Sequence, residues 1–255
     1  MSYYETFARL HRSPNPLLLG NCWDVDSAKI LAEAGYKAIG FSSHALAASL
    51  GYEDGEQLPF DLLVRMAKRT VGVLNVPFTV DMEGGYSRTI DGILANIDRL
   101  HDAGVAGINL EDTIPGPPRQ VQPADDFKKI LSAVANHLSR NNRQLFLNIR
   151  TDGFLLDMPT ALPETLTRIR AYENAGADGI FVPCITDRQD IATVVTATAL
   201  PINVMCMPAL PDFDTLELLG VKRISMGPFL FSKVHDHTGQ LAKGILTEKN
   251  FSSII

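Results

Sequence analysis

The chain lacks the marks of several large protein classes. Its three cysteines, Cys22, Cys184 and Cys206, lie far apart with no C-x-x-C spacing, which speaks against a disulfide scaffold or a cysteine zinc site. Each stands in an apolar, strand-like context, so buried free thiols in a reduced protein are expected. No apolar run approaches the roughly 20 residues that span a bilayer. The first fifteen residues mix Tyr, Glu, Arg and His where a signal peptide would carry an apolar core. The expected location is the cytoplasm. Positive charge is not in excess either. Lys and Arg number 23 against 29 Asp and Glu, a net charge of −6, which argues against nucleic acid or an anionic membrane as partner. No G-x-G-x-x-G or P-loop follows any strand-like run, and Ser42-Ser43 lacks the G-x-S-x-G frame of a hydrolase nucleophile.

What is present is a repeat. Helix-like segments ending in a small or apolar residue and Gly are each followed, two or three residues later, by an apolar run: Ala34-Gly35, Ala103-Gly104, Ala175-Gly176 and Leu219-Gly220. Glycine after a helix supplies a cheap positive φ, and a strand directly beyond it marks an αβ loop. Recurrent αβ units build a parallel sheet. Eight strands can be placed, at about 17–21, 38–43, 76–81, 107–111, 145–150, 179–182, 202–205 and 223–226. Helices are expected at about 26–33, 60–70, 89–102, 124–138, 162–174, 191–197 and 212–218, with helical character again at 228–241. In 255 residues this pattern predicts one closed (β/α)8 TIM barrel over residues 1–255, with an open doubly wound sheet as the alternative.

Barrel chemistry sits where strands end. Asp81 and Glu83 leave the third strand two residues apart, on one side of the chain, in front of Gly84-Gly85. Two like charges so placed repel unless a cation lies between them, and a divalent metal is the economical answer. Glu111-Asp112 ends the fourth strand and Arg150-Thr151-Asp152 the fifth, so acids and one arginine converge on one face.

On these residues the sequence resembles the isocitrate lyase / phosphoenolpyruvate mutase superfamily. The matches are Trp23-Asp24 with Ser27-Ala28, Ser42-Ser43, 50–55 (LGYEDG), 81–86 (DMEGGY), Leu110-Glu111-Asp112, Arg150-Thr151-Asp152 and 201–204 (PINV). The resemblance implies a phosphoenolpyruvate/pyruvate-type barrel that binds Mg2+ (or Mn2+) and a small 2-oxo or 2-hydroxy acid. By position Asp81 matches the direct metal ligand, Glu83 and Glu111 acids that hold it largely through water, and Asp54 a catalytic acid nearby. Ser43, with the amides of His44 and Ala45, matches the substrate-carboxylate loop. Arg150 matches the arginine at the same substrate end, and Asn203, at the end of the seventh strand, joins the substrate-binding set. The resemblance also implies a homo-oligomer, dimer or tetramer, with residues about 228–255 packing on a neighbouring subunit.

The departures matter too. Members that cleave isocitrate or methylisocitrate carry a Lys-Lys/Arg-Cys-Gly-His loop after the fourth strand, and the mutases a Lys-Thr-Asn-Ser gate. Residues 113–123 (TIPGPPRQVQP) have neither. They hold four prolines and one cation, Arg119, which either closes over a substrate anion or is solvated. His44 stands where small residues are usual and either supplies an acid/base group or caps a strand end. The expectation is a Mg2+-dependent lyase that cleaves a C–C or C–P bond through an enolate and releases a pyruvate-like product. Its alternatives are an oxaloacetate decarboxylase or hydrolase of the same family and, from another class, a catalytically silent 2-oxo-acid-binding barrel.

Overall fold

Helices alternate with short, largely buried strands along the chain, and the pattern closes on itself. The computed structural model describes residues 2–116 and 118–255. In chain order the elements are α1 (Tyr3–Leu10), β1 (Leu17–Cys22), α2 (Val25–Glu33), β2 (Ile39–Phe41), α3 (Ser43–Ser49), α4 (Phe60–Val71), β3 (Phe78–Asp81) and α5 (Ile90–Asp102). There follow β4 (Gly107–Glu111), β5 (Thr113–Ile114), β6 (Gln120–Val121), α6 (Ala124–Arg140), β7 (Phe146–Arg150) and α7 (Ala161–Glu173). The chain finishes with β8 (Gly179–Phe181), α8 (Arg188–Thr196), β9 (Ile202–Met205), α9 (Phe213–Leu218), β10 (Arg223–Ser225) and α10 (Phe229–Glu248). Eight parallel strands form a closed barrel in the order β1-β2-β3-β4-β7-β8-β9-β10, with β10 back on β1. This is the expected (β/α)8 TIM barrel, and the open-sheet alternative falls.

The glycine device works as the sequence suggests. At Gly104 φ is 87° and at Gly176 it is 103°, and each glycine turns a helix end toward the next strand. The amphipathic period of α5 holds for Ile93, Ile97 and Leu100, which are buried between helix and barrel, while Ile90 is exposed. The ends of the barrel are finished by side chains. Asn21 Oδ1 accepts from the Met226 and Gly227 N–H groups at 2.8 and 3.2 Å, joining the end of β1 to the end of β10. Trp23-Asp24 and Ser27 have a structural role as well: Asp24 caps α2 by accepting from Ser27 N–H at 2.7 Å.

Four features differ from the sequence expectation. Helix α1 was not anticipated; it seals the N-terminal end of the barrel, where Phe7 packs with Leu17, Leu19, Ala38, Ala106 and Phe146. The segment expected as the substrate-carboxylate loop is a helix, α3, with Ser43, His44 and Ala45 in its first turn. Residues 113–121 contain a two-stranded hairpin, β5–β6, of which Pro117 lies outside the described residues. All three cysteines are free, but only Cys22 is buried; Cys184 is half-buried and Cys206 exposed, because it follows the last residue of β9 into a loop.

Candidate active site

Strand register decides which side chains meet. Asp81 lies beside Asn109, and two residues further along β4 Glu111 lies beside Arg150, so the acids of β3 and β4 and the arginine of β7 meet near the C-terminal mouth. A cavity of about 180 Å³ opens there, lined among others by Ser43, His44, Asp54, Asp81, Arg119, Arg150, Phe181 and Arg223. The chain leaves β3 through a tight turn in which Glu83, Gly85 and Tyr86 have φ of 50°, 99° and 54°. A Cβ on Gly85 would come within 2.9 Å of Ile93, so glycine there is needed for conformation and for space.

Asp81 receives a hydrogen bond from Ser43 Oγ at 2.9 Å on one oxygen, while its Oδ1 is buried without a partner. Burial raises its pKa, opposed by Arg150 and by the Ser43 hydroxyl. Glu83 accepts from Glu56 N–H at 3.0 Å and from the Tyr86 hydroxyl at 3.2 Å. Burial, followed by the charges of Asp81 and Asp54, pushes its pKa up to about 8. Glu111 is fully buried behind the cavity wall, and burial raises it well above the usual carboxylate range against the pull of Arg150 and Arg119. Three carboxylates that burial drives toward neutrality thus share one side of the site.

Arg150 is engaged on every nitrogen. Its Nε and Nη2 bond to Asp152 at 2.6 and 3.0 Å, and Nη1 lies 3.0 Å from Glu111 and 3.9 Å from Asp81. The guanidinium is therefore the counter-charge of the acid cluster before it is anything else. Arg119, on the hairpin, approaches Glu111, Asp152 and Asp54 at 3.7, 3.8 and 4.0 Å, none of them hydrogen bonds. His44 Nδ1 lies 3.8 Å from Asp54 at the mouth, with its side chain about half exposed.

Not every expected residue reaches the cavity. Asn203 lies beneath it, donating to Val204 O and Ser225 Oγ and accepting from Asn148. Ala45 N–H is already taken by the Ser42 hydroxyl, the cap of α3. The Ser43 hydroxyl serves Asp81. The Ser43 and His44 amides, in the first turn of α3, have no carbonyl partner within the helix. Asp112 points away from the mouth to accept from Tyr172 and Arg168 at 2.7 and 3.0 Å. Among the described residues no three acid, histidine or cysteine side chains meet as a ready-made metal cage. Sequence reasoning missed the Asp152 clamp on Arg150, and it missed Arg223. A charged residue at an inward position in a strand was the available signal for the latter.

A closed parallel barrel with carboxylates and arginines gathered at its C-terminal strand ends belongs to the class of enzymes that work from that face. The phosphoenolpyruvate phosphomutase family model matches residues 7–246, and the chain belongs to this family. It is 32% identical to the uncharacterized protein Rv1998c of Mycobacterium tuberculosis over 89% of this chain and 83% of that one. It is 28% identical to an oxaloacetate decarboxylase of Paraburkholderia xenovorans over 90% of this chain and 79% of the other. A crystal structure from Burkholderia cenocepacia J2315, provisionally named a phosphonomutase, superposes with a TM-score of 0.89 at 36% identity, covering 94% of this chain and 99% of that one.

Proposed function

We propose that the protein is a Mg2+-dependent lyase, with Mn2+ as a substitute, that breaks a C–C bond of a small 2-oxo dicarboxylate of the oxaloacetate type and releases a pyruvate-like product. The observation that carries the reading is Asp81: a buried carboxylate at the cavity with one oxygen unpartnered, beside Glu83 and across from Arg150. A buried charged oxygen without a donor is costly, and a cation relieves it. The donor set is all oxygen, and too few acids converge for a closed cage. That suits an ion bound through one or two carboxylates that keeps several of its waters. Asp81 would hold it directly, with Glu83 and Glu111 on its water shell. When bound, the ion supplies a Lewis acid for the 2-oxo oxygen.

The chain's own groups do the rest. The Ser43 and His44 amides offer donors to one substrate carboxylate, and Arg150 keeps a fixed positive charge beside the oxygen that becomes negative. Decarboxylation breaks the bond from C3 to the leaving carboxylate; its electron pair passes to the 2-oxo oxygen as an enolate, and CO2 departs. C3 then takes a proton, and His44, with Asp54 behind it, stands at the mouth to deliver it. The relatives named oxaloacetate decarboxylase support this choice of bond over C–P cleavage. Calorimetric titration of oxalate, an enolate mimic, is the test. Binding that requires Mg2+ is expected, and no binding with or without the ion overturns the reading. With oxaloacetate as substrate, pyruvate and CO2 are expected; oxalate and acetate would assign hydrolysis.

A further inference from the structure

Going round the barrel, the cavity at the mouth divides into two unlike sides. The charged groups at its rim, Asp54, Asp81, Arg119 and Arg150, enter between β2 and β7. From β8 onward the lining includes Phe181, Pro183, Met205 and Pro228, joined by Leu155 from the loop after β7. These side chains end in carbon or in a thioether. The two prolines also lack the backbone N–H that another residue would offer.

The polar groups on this side are already engaged. Ser225 Oγ donates to Val204 O at 3.2 Å, and Gly227 N–H donates to Asn21 Oδ1 at 3.2 Å. Arg223 gives Nη2 to Asn109, while its Nε and Nη1 are sealed beneath the cavity, with Phe7 packed on the guanidinium. Met205 lies against Gly227, where an added Cβ would come within 2.6 Å of the methionine Sδ. Its flexible thioether adapts to alkyl groups of different length.

Oxaloacetate gives such a wall nothing to bind. Its only carbon without oxygen is C3, a bare methylene between a ketone and a carboxylate. The wall begins next to the reacting end, since the Arg150 guanidinium lies 5.9 Å from the Phe181 ring centroid. Arg150 stands beside the 2-oxo oxygen in the reading above, and C3 is one bond from the carbon that bears it. An apolar group on C3 has apolar surface within reach, and burying the two together is favourable. We propose that Leu155, Phe181, Pro183 and Met205 form a subsite for an alkyl substituent on C3, which makes the substrate a 3-alkyl 2-oxo dicarboxylate. The assignment rests on the lyase reading and adds what the substrate carries besides its two carboxylates. The bond from C3 to the leaving carboxylate breaks, its electron pair forms the enolate, CO2 departs and C3 takes a proton. With 3-methyloxaloacetate the product is 2-oxobutyrate.

Pyruvate, 2-oxobutyrate and 2-oxopentanoate test the subsite, because they share one head and add nothing, a methyl and an ethyl at C3. In calorimetric titrations with Mg2+, the affinity of the wild-type protein is expected to rise about 4-fold for each added carbon. Leu155→Gln combined with Met205→Gln keeps bulk, puts amides on the wall and should flatten the rise. A flat or falling series in the wild type, as from a wall that only keeps water out, overturns the proposal. So does a full rise in the double variant. Should the variant not fold, the wild-type series decides alone. Turnover is the second readout: kcat/KM for 3-methyloxaloacetate is expected to exceed that for oxaloacetate by about 4-fold or more, and a lower value overturns the subsite. Oxalate, which has no C3, separates the two readings. Oxalate binding with a flat series overturns the subsite alone. No oxalate binding overturns the lyase reading, and the series of 2-oxo acids still decides the wall.

Discussion

With Glu83 pushed up to about 8, the cation-free site keeps a proton that an unfolded chain releases near 4.5. The folded state then binds more protons than the unfolded state between those two values, so stability falls as pH rises across that window. The contribution is fully present below about 4.5 and lost above about 8. Thermal melts of the metal-free protein should show Tm decreasing over this range, and Glu83→Gln should flatten the decrease. Added Mg2+ should flatten it too, since a bound cation favours the ionised carboxylates. Asp81 is the sharper test of the site. Asp81→Asn keeps the shape and removes the charge, and oxalate affinity in the presence of Mg2+ should fall by about 100-fold or more, with the far-ultraviolet circular dichroism unchanged.

The hairpin β5–β6 is held at its base rather than along its length. Asp112 takes bonds from Arg168 and Tyr172 on α7, Arg168 also donates to Gln122 O at 2.9 Å, and Thr113 Oγ1 donates to Asp152 at 2.8 Å. Arg168→Met would strand the buried Asp112 charge, a loss of about 3–5 kcal/mol. Tyr172→Phe removes one bond of about 1 kcal/mol, a fall in Tm of roughly 2–4 °C in a chain this long. Calorimetric melts of the two variants should rank in that order. The contrast between elements also shows what the sequence made legible. Period, glycine placement and apolar runs predicted all eight barrel strands, because burial on both faces leaves a continuous signal. Helix α1 was missed although Ser2-x-x-Glu5 spells the capping box that starts it. Helix α3 was missed because 45–49 (ALAAS), six residues after a strand begins, carries no period to read. In the site, Asp81 and Glu83 were legible as a pair; the clamp of Asp152 on Arg150 was not, since pairing across a barrel depends on register.

At the scale of the molecule, α10 is out of keeping with the rest. Of its twenty residues only Phe231 is buried, and Leu246 and Phe251 are 79% and 62% exposed near the C-terminus. Apolar surface of this kind is what a contact between copies would cover, and the family resemblance leads one to expect a homo-oligomer. Sedimentation should find a species heavier than the 27.9 kDa chain, and Leu246→Glu with Phe251→Glu should return it to the monomer.

The seal at the other end of the barrel sets a timetable. Phe7 packs on Phe146, and β1 pairs with β10, so these early segments have partners that are made much later. Some 139 residues, 146 less 7, separate the two phenylalanines, which is roughly 7–28 s of synthesis. During that interval the α1 seal lacks Phe146, and one edge of β1 waits longer still, for β10. The barrel cannot be completed from its beginning onward; it closes only after the C-terminal strand has left the ribosome, and a nascent chain arrested before β10 should remain open to proteases and chaperones.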